Sequence, residues 1–198
     1  FSSSVSFNFS ELNVNDFPDL TGNNDYFRSL RDVPPSYNLA EKPYQSDGDP
    51  YEQIYFRSSQ NNPYWVVNHN YRNTKTPRTI GNLLLEYELA EGLKLNYRFG
   101  LDNFSSREED FRDLGTAQAG RTTPPSGGSV SIENITSRQL NSNAFLTYNK
   151  QFENSLSVDA VIGNEVYDQH TNVESSTGSN LITGGWANLA NAANISAS

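Results

Sequence analysis

The sequence predicts an all-β protein, a segment of an antiparallel transmembrane β-barrel with about five strands and long extracellular loops. Three observations lead to this prediction. Apolar and polar residues alternate with period two in several stretches, as they do in a strand with one apolar and one polar face. The connections between these stretches are either very short or very long. Aromatic residues make up 12% of the chain although its mean hydropathy is −0.68.

Composition excludes several classes of protein. The 198 residues suit one ordinary domain or part of a larger one. The absence of cysteine excludes a disulfide scaffold, a cysteine zinc site and a thiol nucleophile. A net charge of −9 with 14 scattered basic residues argues against binding to nucleic acid. The sequence lacks the roughly 20 consecutive apolar residues of a membrane helix, but a membrane strand needs only about 9–11 residues.

The first predicted strand lies near residues 1–10, where Val5, Phe7 and Phe9 alternate with polar residues. The sequence begins at Phe1 and shows no charged segment followed by an apolar segment, so no signal peptide is expected. The two interpretations are a mature or trimmed chain and an internal segment of a longer protein, and the strand-like start favours the second.

The clearest hairpin joins predicted strands near residues 79–90 and 93–105. In the second strand, alternate residues form one apolar face: Leu93, Leu95, Tyr97, Phe99 and Leu101. The connection is Ala90-Glu91-Gly92, in which Gly92 can supply the positive φ of a tight turn.

A second hairpin is predicted from strands near residues 138–151 and 156–172, with a tight turn near 152–155. Aromatic residues lie within a few positions of both tight turns, as in the aromatic girdle at a membrane interface. They are Tyr87, Tyr97, Tyr148 and Phe152.

The remaining connections are long loops near residues 11–77, 106–137 and 173–198. Two short helices are predicted in the first loop, one at Asp25–Leu30 before Pro34-Pro35 and one from Tyr64 after Pro63. A turn or flexible tip is predicted at residues 124–128. Long loops are uncommon in compact domains but normal on the extracellular side of a barrel, so the tight turns are predicted to be periplasmic.

Six segments, in this order across nearly the whole chain, carry a resemblance to a known family. They are Ser29-Leu30-Arg31-Asp32-Val33-Pro34-Pro35, Asn62-Pro63-Tyr64-Trp65, Ile80-Gly81-Asn82, Gly100-Leu101-Asp102-Asn103-Phe104-Ser105, Arg138-Gln139-Leu140-Asn141 and Gly184-Gly185-Trp186-Ala187-Asn188-Leu189. Together they resemble the SusC/RagA family of TonB-dependent outer-membrane transporters of Bacteroidetes.

The resemblance implies a fold, a location and partners. The chain would be part of a barrel of about 22 strands with a plugged lumen, in the bacterial cell outer membrane. Its partners would be a SusD-like surface lipoprotein, outer-membrane lipid and a glycan or peptide ligand. The plug and the contact with the TonB complex are expected outside this sequence. Nutrient uptake of this kind requires neither a cofactor nor enzymatic activity from the segment.

Four residues are predicted as contacts of a ligand vestibule: Tyr64, Trp65, Asn68 and Trp186. Aromatic faces stack on sugar rings and amides bond to hydroxyl groups. The alternative for these residues is packing of the loops against the barrel rim.

Other polar clusters have two interpretations each, and no catalytic, cofactor-binding or metal-binding residue is predicted. The acidic residues at 47–52 suit either a Ca²⁺ site or a solvated turn. The charged run at 107–113 suits either a pair of glycosidase carboxylates or a solvated extension of the preceding strand; the extension is the prediction.

A second class of protein also accounts for the alternation. A soluble, secreted β-sandwich for carbohydrate binding or adhesion would pack its apolar faces against each other. The long loops argue against it, because sandwich turns usually recur about every 8–12 residues.

Overall fold

A computed structural model of the chain describes residues 1–16, 26–117, 127–153 and 156–198. Its strands form one antiparallel sheet in which neighbours follow the order of the chain. The strands are β1 (Ser2–Asp16), β2 (Tyr71–Ala90), β3 (Leu93–Arg112), β4 (Ser129–Gln151), β5 (Ser157–Leu181) and β6 (Ala192–Ala197). The helices are α1 (Tyr26–Arg31), α2 (Pro63–His69) and a short 3-10 helix at Leu189–Asn191.

The all-β class is confirmed, and each of the five predicted strands is present. The tight turn between β2 and β3 also forms as predicted, with Gly92 at a φ of +78°. The Gly92 carbonyl oxygen accepts a hydrogen bond from the Asn149 backbone at 2.8 Å. A Cβ atom at position 92 would lie 2.2 Å from the Asn149 carbonyl oxygen, so both φ and space require glycine.

The predicted loops near 11–77, 106–137 and 173–198 are too long, because the strands continue beyond their apolar alternation. In these extended parts of the strands, neighbouring strands contact each other through hydrogen bonds between polar side chains. The pairs are Thr76 with Ser106 at 2.9 Å, Tyr71 with Glu109 at 2.8 Å, and Ser131 with Thr177 at 2.9 Å. Strand β6 is absent from the prediction, and its Ile195 lies opposite Gly178 of β5.

Both short helices are confirmed. Helix α1 ends at Arg31, ahead of the two prolines, and α2 has Pro63 in its first turn. Asn62 caps α2, since its side-chain oxygen accepts a hydrogen bond from the Tyr64 backbone at 2.9 Å. Asp25, residues 124–126 of the predicted loop tip and residues 154–155 of the second predicted turn lie outside the described residues.

The chain divides into two compact units. Unit 1 consists of Phe1–Leu12, Thr76–Ser106 and Ile135–Val173. No apolar side chain is buried among its described residues, and many large apolar side chains are exposed. Examples are Val5 at 74%, Phe7 at 72% and Ile162 at 73% exposure.

Within unit 1, side-chain contacts across the sheet show which alternate residues share a face. The contacting pairs are Ser6 with Asn82, Glu86 with Lys94, Tyr97 with Ser142, and Asn141 with Glu165. They place the apolar sets of neighbouring strands together, and we call this surface the apolar face. It contains Val5, Phe7, Phe9, Leu85, Tyr87, Leu89, Leu93, Leu95, Tyr97, Phe99, Leu101, Ala144, Leu146, Tyr148, Val158, Ala160 and Ile162.

Unit 2 consists of Asn13–Lys75, Arg107–Asn134 and Glu174–Ser198, and it has a core of its own. Phe111, Val130 and Leu181 form the centre of this core. Partly buried residues pack around them: Tyr71, Leu114, Ile132, Ala187, Leu189 and Ala192. None of the helices in the described ranges has the length and apolar character needed to cross a membrane.

Candidate functional site

Helix α2, which carries three of the four predicted vestibule residues, is held in place by amide side chains of unit 2. Gln53 donates to Asn61 Oδ1 at 2.8 Å and to the Gly115 carbonyl oxygen at 2.7 Å. Asn61 also pairs with the Ala117 backbone in both directions, at 2.8 and 3.0 Å. The segment before α2 is thereby fixed to the segment that follows β3.

Two side chains of α2 stack their rings on each other. The Trp65 and His69 rings are parallel to within 5°, with centroids 4.2 Å apart. The indole Nε1 donates to the Pro50 carbonyl oxygen at 3.3 Å. Since Trp65 has no exposed surface, its ring packs inside the loop and offers no face to a ligand.

Asp113 connects this stack to the loop that bears Trp186. One carboxylate oxygen lies 3.2 Å from His69 Nδ1. The other accepts hydrogen bonds from the backbones of Leu114 and Gly185, each at 2.8 Å. Gly185 directly precedes Trp186, so one buried carboxylate positions both predicted aromatic segments.

The other three predicted contacts are at the surface. Tyr64 is 43% and Trp186 is 51% exposed, and Asn68 is exposed as well. Asn68 and Gly185 both line a cavity of about 390 Å³. Ligand contact by Tyr64, Asn68 and Trp186 stays a prediction. For Trp65, the buried ring agrees with the alternative that the aromatic residues of the loops pack inside the protein.

The two polar clusters have definite local structures. Asp49 Oδ1 accepts a hydrogen bond from the Tyr51 backbone at 2.8 Å, which closes a turn in the acidic segment. Residues 107–112 of the charged run extend β3, as predicted, whereas Asp113 follows the strand and is buried instead of solvated. There Arg72 Nη2 donates to Asp110 at 3.0 Å, and its Nε lies 3.4 Å from Glu108.

A polar groove on β3, β4 and β5 was not predicted from the sequence. Its volume is about 400 Å³, and it is lined by Glu108, Asp110, Arg112, Ser129, Ser131, Glu133, Thr177 and Ser179. These residues occupy every second position of their strands, so they share one face. The same period-two count applied to polar residues could have revealed the groove.

Among the described residues of unit 2, burial and hydrogen bonds shift the pKa values of Tyr55, Tyr71 and Asp32. Burial raises the pKa of Tyr55 to about 12, and its hydroxyl donates to the Ser29 carbonyl oxygen at 2.6 Å. Burial, supported by the hydrogen bond to Glu109, raises the pKa of Tyr71 to about 12. Hydrogen bonds, chiefly from Gln60, lower the pKa of Asp32.

Comparison with known proteins does not assign the chain. No family model matches it, and no curated protein sequence matches it.

Proposed function

We propose that the chain is a wall segment of an outer-membrane TonB-dependent transporter of the SusC/RagA type. The transporter would import glycans or peptides together with a SusD-like lipoprotein, powered through TonB. In this role the segment supplies barrel wall and ligand-contacting loops and catalyses no reaction. The observation that carries the proposal is the exposed apolar face of unit 1.

The apolar face requires an apolar environment. Large contiguous apolar patches are rare on proteins that are surrounded by water. Burying apolar surface contributes about 25 cal/mol per Å², so a sheet with this many exposed large side chains gains most from contact with lipid. The outward band of a membrane barrel is such a surface.

The opposite face of unit 1 is mostly polar, as expected of a barrel interior, although it also contains Leu84, Phe145 and Val161. Arg78 Nε donates to Asp102 at 2.9 Å, and Lys94 lies 3.4 Å from Glu86. These ion pairs alternate with apolar residues along β2 and β3, as in barrels with an apolar exterior and a polar lumen.

A soluble β-sandwich is the competing proposal. It would need a second sheet to cover the apolar face of unit 1. The described residues contribute one sheet, and the buried apolar residues among them all belong to unit 2. This distribution favours the transporter segment over the carbohydrate-binding or adhesion module.

Cysteine labelling tests the membrane assignment, because the chain contains no cysteine that would react in the background. Leu95 lies on the apolar face and Arg98 on the opposite face of the same strand. In outer-membrane vesicles that hold the full-length protein, a charged maleimide is expected to label Arg98→Cys and to spare Leu95→Cys. An uncharged, lipid-soluble maleimide is expected to label Leu95→Cys.

The two cysteine variants also show which result would contradict the proposal. Equal labelling of both variants by the charged reagent would place the apolar face in water. Recovery of the full-length protein in the soluble fraction without detergent would also contradict the proposal. Uptake that persists in a strain without TonB would remove the transport assignment and leave the membrane assignment standing.

A further inference from the structure

A cavity of about 430 Å³ lies in unit 2, in the segment that precedes α2. It is lined by Asp49, Tyr51, Glu52, Gln53, Tyr55, Arg57, Ser58 and Gln60. From the sequence, its acidic residues suit a Ca²⁺ site or a solvated turn, and residues 53–60 have no predicted role. Its lining contains two carboxylates, two tyrosine rings and one buried amide, and this combination determines which ligand it suits.

The buried amide is Gln60, which is 3% exposed. Its Nε2 donates to Asp32 Oδ2 at 3.1 Å, and a carboxylate accepts but does not donate hydrogen bonds. The orientation of the amide is therefore fixed, with Oε1 as the free acceptor. Within the described part of the chain, Oε1 is buried and has no hydrogen-bond partner. A buried acceptor without a partner destabilises the protein until a donor reaches it.

The two carboxylates add negative charge to the same lining. Neither Asp49 nor Glu52 forms an ion pair with any residue in the described ranges. The one cation of the lining, Arg57, lies 3.7 Å from Asp32 and 5.3 Å from the centre of the Phe56 ring. Asp32 is shared with Arg28 and Arg31, so it does not neutralise Arg57 alone. With two carboxylates and one cation, the lining still has a formal charge of −1, and among the described residues the Gln60 oxygen remains an acceptor without a donor.

Tyr51 and Tyr55 supply the aromatic part of the lining. An aromatic face attracts a cation within about 6 Å of its centre, and the attraction grows when water is excluded. Carboxylates, an amide oxygen and aromatic rings together match a group with several N–H donors, a positive charge and no acceptor.

We propose that this cavity binds a basic side chain of a peptide, with its ammonium or guanidinium group directed at Gln60, Asp49 and Glu52. The proposal deepens the proposed function, since it selects peptides over glycans, and it rests on that function only for its role in uptake. Each sugar hydroxyl both donates and accepts hydrogen bonds. A sugar would therefore meet an unbalanced set of partners in this lining.

Binding of a short peptide by the full-length protein in detergent tests the proposal. The probe is acetyl-Ala-Lys-Ala-amide, and its control replaces lysine with norleucine, which keeps the methylene chain and lacks the ammonium group. Isothermal titration is expected to show at least tenfold weaker binding of the norleucine peptide. Binding of the lysine peptide is expected to weaken as salt concentration rises, because salt screens exposed charges.

Two variants locate the binding. Glu52→Gln keeps the size of the side chain and removes its charge, and it is expected to weaken binding of the lysine peptide roughly twofold to fivefold, as for an exposed charge pair. Glu41→Gln is the matched control, since Glu41 is exposed and outside the lining, and unchanged binding is expected. Gln60→Leu keeps a side chain of similar size in the cavity wall and removes the free acceptor. It is expected to weaken binding of the lysine peptide more than Glu52→Gln does.

Three results would overturn the proposal. They are equal affinity for the lysine and norleucine peptides, equal effects of Glu52→Gln and Glu41→Gln, and displacement of the lysine peptide by a neutral trisaccharide such as maltotriose. Titration in detergent requires neither TonB nor a membrane. A failure of the peptide site is therefore distinguishable from a failure of the transporter assignment, which the maleimide experiment tests separately.

Discussion

Replacement of Asp113 by alanine tests whether one buried carboxylate holds the loops of unit 2 together. The Asp113 side chain is 3% exposed and accepts backbone hydrogen bonds from Leu114 and Gly185, each at 2.8 Å. The variant leaves both N–H groups without their acceptor, and His69 Nδ1 also loses its partner. The change is expected to release the loop at Gly185 while the core around Phe111 stays packed.

The expected loss of stability follows from the two backbone N–H donors that would lack an acceptor. Each unpaired backbone N–H costs about 1–3 kcal/mol when water does not replace the acceptor. Because Gly185 lies at the surface, water replaces part of its hydrogen bond. The total loss in the free energy of unfolding is therefore expected in the lower half of the range for two donors, at about 3 kcal/mol. Gly185 accounts for roughly 1 kcal/mol of this total. Since each 1.4 kcal/mol is about tenfold in an equilibrium constant, hydrogen exchange at the Gly185 amide should accelerate roughly fivefold.

Asp113→Asn is the matched control. The asparagine carbonyl oxygen can accept the same two backbone hydrogen bonds, and its amide can donate to His69 Nδ1. This requires the histidine tautomer in which Nε2 donates to Gln45, which lies 3.2 Å away. A loss of about 1 kcal/mol is expected, because bonds to a neutral acceptor are weaker than bonds to a carboxylate.

Hydrogen exchange measured by mass spectrometry on the full-length protein separates these expectations. Peptides that span residues 181–189 and 111–117 report on the two backbone amides, and a peptide from the β2–β3 turn is the internal reference. Equal exchange in the alanine and asparagine variants would refute the role of the acceptor oxygen. Unchanged exchange at Gly185 in Asp113→Ala would refute the connection itself.

Three further predictions concern single residues. Trp65→Ala is expected to destabilise unit 2 by about 3–5 kcal/mol because the ring is fully buried. Trp186→Ala, at an exposed site, should destabilise it by less than about 1 kcal/mol. The resistance of the loops to thermolysin compares the two variants. The Tyr55 pKa of about 12 lies above its unfolded value, so the stability due to the neutral phenol is complete below pH 10 and is lost as pH rises from 10 to 12. Because the pKa of Tyr71 is also about 12, phenolate absorbance should show one fewer late-titrating tyrosine in Tyr55→Phe than in the unchanged protein. Gly92→Ala is expected to destabilise the hairpin by at least about 1–2 kcal/mol from its positive φ alone and to reduce the yield of folded full-length protein on unboiled gels. Gly48→Ala, whose Cβ would meet no atom within 4 Å, should leave that yield unchanged.

The parts of the fold that sequence reasoning predicted are those that depend on neighbouring residues. The hairpin at Gly92 follows from alternation on either side of a residue that tolerates positive φ. Helix α2 follows from Asn62 and Pro63, which provide a cap and a rigid first turn. These features needed no knowledge of distant contacts.

The strand ends and β6 could not be predicted in this way. Tyr71 and Glu109 are 38 positions apart, and their hydrogen bond extends two strands past the end of the apolar pattern. The Ala192–Ala197 segment is short and has few large side chains, so nothing local distinguishes it from a loop. Its pairing depends on the register it finds beside Gly178 of β5.

The candidate sites could be predicted only in part, because burial is a property of the whole unit. Trp65 has the same local signal as Trp186, an aromatic residue in a polar loop. The structure buries the first and exposes the second. The Gln60 cavity depends on Asp32 and on a loop turn at Asp49, and these contacts join residues from separate parts of the sequence.

Buried amides supply many of the hydrogen bonds that hold the loops of unit 2. Asn61, Asn62, Asn70 and Asn191 are all at most 4% exposed, and each has hydrogen bonds to the neighbouring backbone. Hydrogen bonds of this kind are directional, so they specify one arrangement of a loop where apolar contacts would permit several. A binding loop that is already ordered does not lose this conformational freedom when a ligand binds. The amide scaffold therefore lets a loop with a small apolar core present Tyr51, Glu52 and Gln60 in a fixed geometry.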